Sequence, residues 1–132
     1  MADNEKITLD IPVVDLGQID VLVEQGFYSN RADFFRISLR NQLDKYSEEV
    51  RQTITRRSYV VGIIHHGISS LQKVKEEGVK LDIRSVGMLI ISEDVPVELA
   101  QETINSIIVY GVFRASEDLK QTLADRISAK WE

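Results

Sequence analysis

KITLDIP, residues 6–12, decides how the rest of the chain is read. Ile7, Leu9 and Ile11 alternate with Lys6, Thr8 and Asp10, the period of a strand with one buried face, and Pro12 ends it. A single strand of this length does not stand alone. No hairpin partner follows it, so the simplest partner is the same strand from a second copy of the chain.

Downstream, VVDLGQIDVLVEQG (13–26) carries Leu16, Ile19, Leu22 and Val23 at helical spacing, with Asp15 or Asp20 outward, and Gly26 is placed as a left-handed helix stop. FYSNRADFF (27–35) starts a second helix, capped by Ser29 or Asn30, with Asp33 favouring the positive end of the helix dipole. Phe35, Leu39, Leu43, Tyr46, Val50 and Ile54 extend one apolar stripe in steps of 4, 4, 3, 4 and 4. The pattern predicts one helix of over 25 residues, reaching about Arg57, with a coiled-coil-like seam.

Strand, short helix, Gly turn and capped helix, in that order, resemble the ribbon-helix-helix domain of Arc-, MetJ- and CopG-type repressors. The carrying residues are KITLDIP, the turn EQGFYSNRADFF (24–35) and the helix stretch ISLRNQL (37–43), so the resemblance spans about the first third of the 132 residues. It implies a homodimer in which two strands pair into an antiparallel ribbon and four helices close the core. It also implies that the ribbon enters the DNA major groove and that its outward side chains touch base edges. Those positions here are Lys6, Thr8 and Asp10. Lys6 donates to guanine, Thr8 donates or accepts and offers its methyl to thymine, and Asp10 accepts from cytosine N4. The family clamps a backbone phosphate at the start of the second helix, where this chain has Ser29, Asn30 and Arg31. The sequence departs from the family pattern at Asp10, a carboxylate where ribbons usually expose basic or amide residues, with Asp3 and Glu5 close by.

The second half has a different grammar. RSVGMLIISEDV (84–95) aligns with IVYGVFRASEDL (108–119) at an offset of 24, and YVVGIIHHGI (59–68) is a fainter third copy, with Gly62 at offset 25 from Gly87. Each unit reads as a β-branched strand, an acidic turn and a helix start, with Ser92 or Ser116 as N-cap. Helices are predicted over Ile68 to Glu77, Val97 to Asn105 and Ser116 to Lys130, and the strands are predicted to pair in parallel. Such a short stack has open edges, which suits an assembly module better than a ligand-sensing one.

Hydrophobic residues make up 43% of the chain and charged residues 28%, an ordinary globular composition. Sixteen Lys and Arg oppose twenty-one Asp and Glu, giving −5, which excludes a general nucleic-acid sponge. Residues 1–58 carry −2 (8 basic, 10 acidic) and residues 59–132 carry −3 (8 basic, 11 acidic), so neither half is a basic arm. The absence of cysteine excludes disulfides, thiolate metal sites and cysteine nucleophiles. Apolar runs such as Met88 to Ile91 are far short of the roughly 20 residues of a membrane span. The acidic start MADNEKITLD lacks an apolar signal core, so a cytoplasmic protein is expected.

His65 and His66 would point to opposite faces of a strand and so not chelate one metal, and no cofactor or metal site is expected. Arg84 and Arg114 are read as solvated edge positions. Arg36, Arg40 and Arg51 are read as a solvated helix face, and Trp131 as a packing anchor. No convergent catalytic set is present, so an enzyme is not expected.

The fold class expected is α+β: a ribbon-helix-helix dimerisation unit over 1–58, then a small α/β domain with a repeat of roughly 24 residues over 59–132. The function expected is a bacterial-type, homodimeric regulator, a repressor, that binds double-stranded DNA and assembles further through its second half. The alternative expectation is an interaction protein of antitoxin or scaffold type, which uses the ribbon only to dimerise and binds a protein partner.

Overall fold

The stop at Gly26 and the start at Asn30 bound two helices in a computed structural model, which describes residues 4–129. Helix α1 runs Val13–Glu24 and α2 runs Arg31–Lys45. Gly26 takes φ 89°, where a side chain would be strained. That conformation lets the Gly26 N–H reach the Val23 carbonyl at 3.1 Å and the Phe27 N–H reach the Leu22 carbonyl at 3.0 Å, closing the last turn of α1. Asn30 rather than Ser29 is the N-cap of α2, its side chain accepting from the Asp33 N–H at 2.7 Å.

The single long helix expected from the apolar stripe is two helices. α2 ends at Lys45, Tyr46 leaves helical geometry at φ −105° and ψ 16°, and α3 runs Ser47–Arg57. The stripe keeps phase through the break because the Val50 N–H still reaches the Tyr46 carbonyl at 3.1 Å. Ser47, Glu48 and Glu49 form a helix-start cluster inside the stripe, and the apolar period masks it. α3 ends on Ser58 at φ 57°, and the Tyr59 N–H returns to the Ile54 carbonyl at 3.0 Å.

The chain divides into two compact units between Thr53 and Ile54, within α3. Among the described residues of the first unit, Ile19 is the single buried side chain. The stripe residues Phe35, Leu39, Leu43, Tyr46 and Val50 are all exposed. A unit that buries so little apolar surface cannot offset the entropy of ordering its backbone. Its core is half of something.

The second unit is a four-stranded sheet in the order β1(Val60–His66), β2(Leu81–Ile91), β3(Ile104–Arg114) and β4(Ile127–Ala129), every neighbouring pair parallel. The repeats therefore stack as units: Gly62 pairs with Gly87 and Gly87 with Gly111. Helices α4(Ile68–Glu76) and α5(Val97–Thr103) make the crossovers and are linked by a 2.8 Å Lys75–Glu102 bridge. Against them lies one core, with Leu71, Leu89, Ile104, Ile107, Leu119 and Leu123 fully buried.

Two helix ends differ from the sequence expectation. α5 stops at Thr103, whose hydroxyl donates to the Leu99 carbonyl at 2.7 Å, because the buried Ile104 already begins β3. The last helix, expected to reach Lys130, is α6(Glu117–Thr122), followed by a 3-10 turn at Ala124–Arg126 and then β4. Leu119, Leu123 and Ile127 share helical spacing, but Ile127 is a strand residue beside Ile107. Arg126 fixes the turn by donating to the Gln101 and Ile104 carbonyls at 2.8 and 2.9 Å. Lys130 and Trp131 lie outside the described residues.

Arg84 is not a solvated edge residue. β2 is an interior strand, and the half-buried Arg84 Nη1 donates to the Ile83 carbonyl at 2.9 Å and to Ser106 Oγ at 3.0 Å. Arg114 is exposed at the end of β3.

Candidate nucleic-acid interface

Residues 4–11 belong to no helix or sheet within one chain. Alternation alone gives a strand no hydrogen-bonding neighbour, and the described residues of the chain supply none here. Lys6, Thr8 and Asp10 are exposed, as the pattern requires. Ile7 and Leu9, the residues that should be inward, are 76% and 72% exposed as well. Beside Leu9 lies an open groove of about 510 Å³, lined by Ile11, Ile19, Leu22, Phe34 and Phe35 and, on its polar side, by Asp10, Asp15 and Gln18. The groove and the bare side of the segment together have the shape of an unfilled core.

The start of α2 is built by reciprocal bonds. Asn30 caps the Asp33 N–H, and the Asp33 carboxylate accepts from the Ser29 N–H at 3.0 Å. Phe34 stands edge-on to Tyr28 at 5.0 Å and holds the turn against the helix. The first intrahelical bond is Phe34 N–H to the Asn30 carbonyl, so the amides of Arg31 and Ala32 precede it and face outward as donors. That is the arrangement that attracts an anion, with Asp33 as a competing negative charge.

Arg31 has a partner that sequence spacing does not reveal. Its Nε and Nη2 donate to the two carboxylate oxygens of Asp20, both at 2.8 Å, tying α2 to α1. The hydrogen bonds hold the Asp20 carboxyl below the usual aspartate range and raise the guanidinium correspondingly. The two residues lie 11 apart across a turn, outside any helical period. The sequence shows Asp20 only as an outward acid on α1, and no local signal marks it as a partner.

The structure brings the predicted residues together in two groups: Lys6, Thr8 and Asp10 along the extended segment, and Ser29, Asn30 and Arg31 at the α2 start. In the second unit the two histidines diverge as read. His65 Nε2 meets Ser92 Oγ at 2.9 Å and His66 Nδ1 meets Ser70 Oγ at 2.8 Å. Burial, with His65 next to it, lowers the His66 pKa below the ordinary histidine value. No group of three or more His, Asp or Glu among the described residues is placed to hold a metal ion. No helix among them is long and apolar enough to cross a membrane.

The first unit is thus a lead outside any regular element, then two helices joined by a glycine turn, the second with a capped start. The family model described as the ribbon-helix-helix transcriptional regulator family matches residues 2–120, and the chain belongs to that family. The match runs far beyond the first third that carried the resemblance and takes in most of the parallel sheet unit. No curated protein and no solved structure matches the chain.

Proposed function

We propose that this chain is a sequence-specific DNA-binding repressor, cytoplasmic and non-enzymatic, that works as a homodimer. The observation that carries the reading is the first unit's open core: Ile7 and Leu9 lie bare, Leu9 at a largely apolar groove that Asp10, Asp15 and Gln18 also line, and Ile19 alone is buried among the unit's described residues. A second copy supplies the missing strand as an antiparallel ribbon. Pairing covers Ile7, Leu9 and Ile11 and leaves Lys6, Thr8 and Asp10 outward from both strands, at the width of a major groove. Ser29, Asn30 and Arg31 then flank the ribbon and meet a phosphate, with Arg31 held in place by Asp20.

Asp10 and the engagement of Arg31 with Asp20 favour a second reading. In it the ribbon only dimerises and the surface takes a protein partner.

Selection of bound sequences from random duplexes, at low and moderate salt, tests the proposal. The expected result is a palindromic or repeated motif, lost when Lys6, Thr8 and Arg31 are each replaced by Ala. The affinity should also fall with log salt at a slope near −0.9 for every phosphate neutralised. No enrichment at either salt, from a folded dimer, overturns the DNA reading in favour of the protein partner.

A further inference from the structure

The Arg31–Asp20 pair engages one edge of the guanidinium and leaves another free. Nε and Nη2 each give an N–H to a separate oxygen of Asp20, both at 2.8 Å. A guanidinium carries five N–H donors in one rigid plane, so its Nη1–Nη2 end keeps a second fork. Among the described residues nothing else accepts from Arg31, and its side chain is 56% exposed. The second fork is therefore open to solvent, with its plane fixed by the carboxylate behind it. An exposed ion pair adds little to stability. Its two-bond geometry matters more for aim: an unpaired arginine gives up rotamer freedom when it meets a phosphate, and this one has given it up beforehand.

The pair also cancels charge. At the start of α2, Arg31 stands against both Asp20 and Asp33, and on the segment before α1 Asp10 offsets Lys6. A surface so balanced gains little from counterion release, the contribution to DNA affinity that ignores sequence. We infer that Asp20 is a specificity-determining residue, a conclusion that rests on the proposed DNA contact of Arg31. Asp20 turns Arg31 from a loose charge, attracted to any duplex, into an aimed pair of donors. That contact forms only when the first unit is seated in register and a phosphate stands in front of the fork. Asp20 itself touches no DNA. It is a positioning residue that acts through Arg31.

The test compares binding of the full chain to its selected duplex and to a scrambled duplex of equal length, each across a salt series. Asp20→Asn preserves size and removes the charge and one arm of the fork. Binding to the scrambled duplex should tighten, and its salt slope should steepen by up to about 1.8 per dimer, since each chain gains one net positive charge. The ratio of selected to scrambled affinity should fall at least about tenfold, the effect of losing an aimed charge-assisted bond. Asp20→Glu, which retains the charge, should leave scrambled binding weak. In an Arg31→Ala background, Asp20→Asn should no longer alter the ratio. Thermal melts of each variant separate aim from a mere tie between α1 and α2. Parallel weakening on both duplexes with a lowered melting temperature overturns the inference, and so does an unchanged ratio. If the unaltered chain binds no duplex, the proposed function fails and this inference with it. Selective binding by the unaltered chain, with the same ratio in Asp20→Asn, defeats only the inference.

Discussion

Gly62, Gly87 and Gly111 sit in one row across three strands, with φ of 129°, 134° and 118°. A Cβ on Gly87 would lie 2.3 Å from the Gly62 carbonyl oxygen, and one on Gly111 would lie 2.1 Å from that of Gly87. A Cβ on Gly62 would meet nothing within 4 Å. Three chemically identical changes should therefore differ. Gly62→Ala should cost only the backbone strain, about 1–2 kcal/mol. Gly87→Ala and Gly111→Ala add a backbone collision and should cost about 3 kcal/mol or more. Urea unfolding of the three variants checks the order. His66 is the other informative single residue. Its pKa is lowered by burial in the folded chain. The unfolded chain therefore binds its proton first as pH falls through about 6.5, and stability is lost from there down through the lowered folded value. Above that window the ring is neutral in both states and contributes no slope. His66→Gln should flatten the pH dependence of the melting temperature below about 6.5, and an unchanged slope would locate the titration elsewhere.

At the scale of elements, the cap of α2 links stability to function. Asn30 satisfies the Asp33 amide, and Asp33 in turn holds Ser29, so the loop proposed to meet phosphate is fixed by its own helix start. Asn30→Ala should destabilise the first unit by about 1 kcal/mol, while Asn30→Asp should retain most of the cap. Thermal melts at several protein concentrations check this, because a unit completed by pairing melts higher at higher concentration. What the sequence conveyed at this scale follows from how local each signal is. Gly26, Asn30 and the 24-residue repeat are written in adjacent residues, and all three stand where the pattern put them. The break at Tyr46 hid beneath an apolar stripe that stays in phase across it. The early end of α6 hid because the spacing of Leu119, Leu123 and Ile127 suits a helix as well as a helix, a tight turn and a strand. The Arg31–Asp20 pair was out of reach, because it joins two helices through tertiary packing that no period encodes.

The whole molecule is two units that solve one problem differently. The first buries only Ile19 among its described residues, whereas the second closes a core between helices and sheet and exposes Val61 and Ile63 on its edge strand. Alternation in KITLDIP and the repeated glycine strands were enough to read the α+β class and the parallel pairing. The exposure of the edge strand was harder to foresee. Val61 and Ile63 look in sequence like any buried β-branched pair, and only the placement of α4 and α5 on the opposite side distinguishes them. The glycine row has a consequence for how such a sheet could lengthen. The Gly62 and Gly87 carbonyls occupy the space where the next strand would carry a side chain. A tandem duplication of one strand-helix unit preserves the row only if its length returns a glycine to that register. The two existing units are 25 and 24 residues from glycine to glycine, so the connection between strands absorbs a one-residue difference while the glycines stay in register. The sheet is therefore open to growth by copying units whose length drifts in the connections, and closed to growth by units that bring a branched residue to the glycine's place.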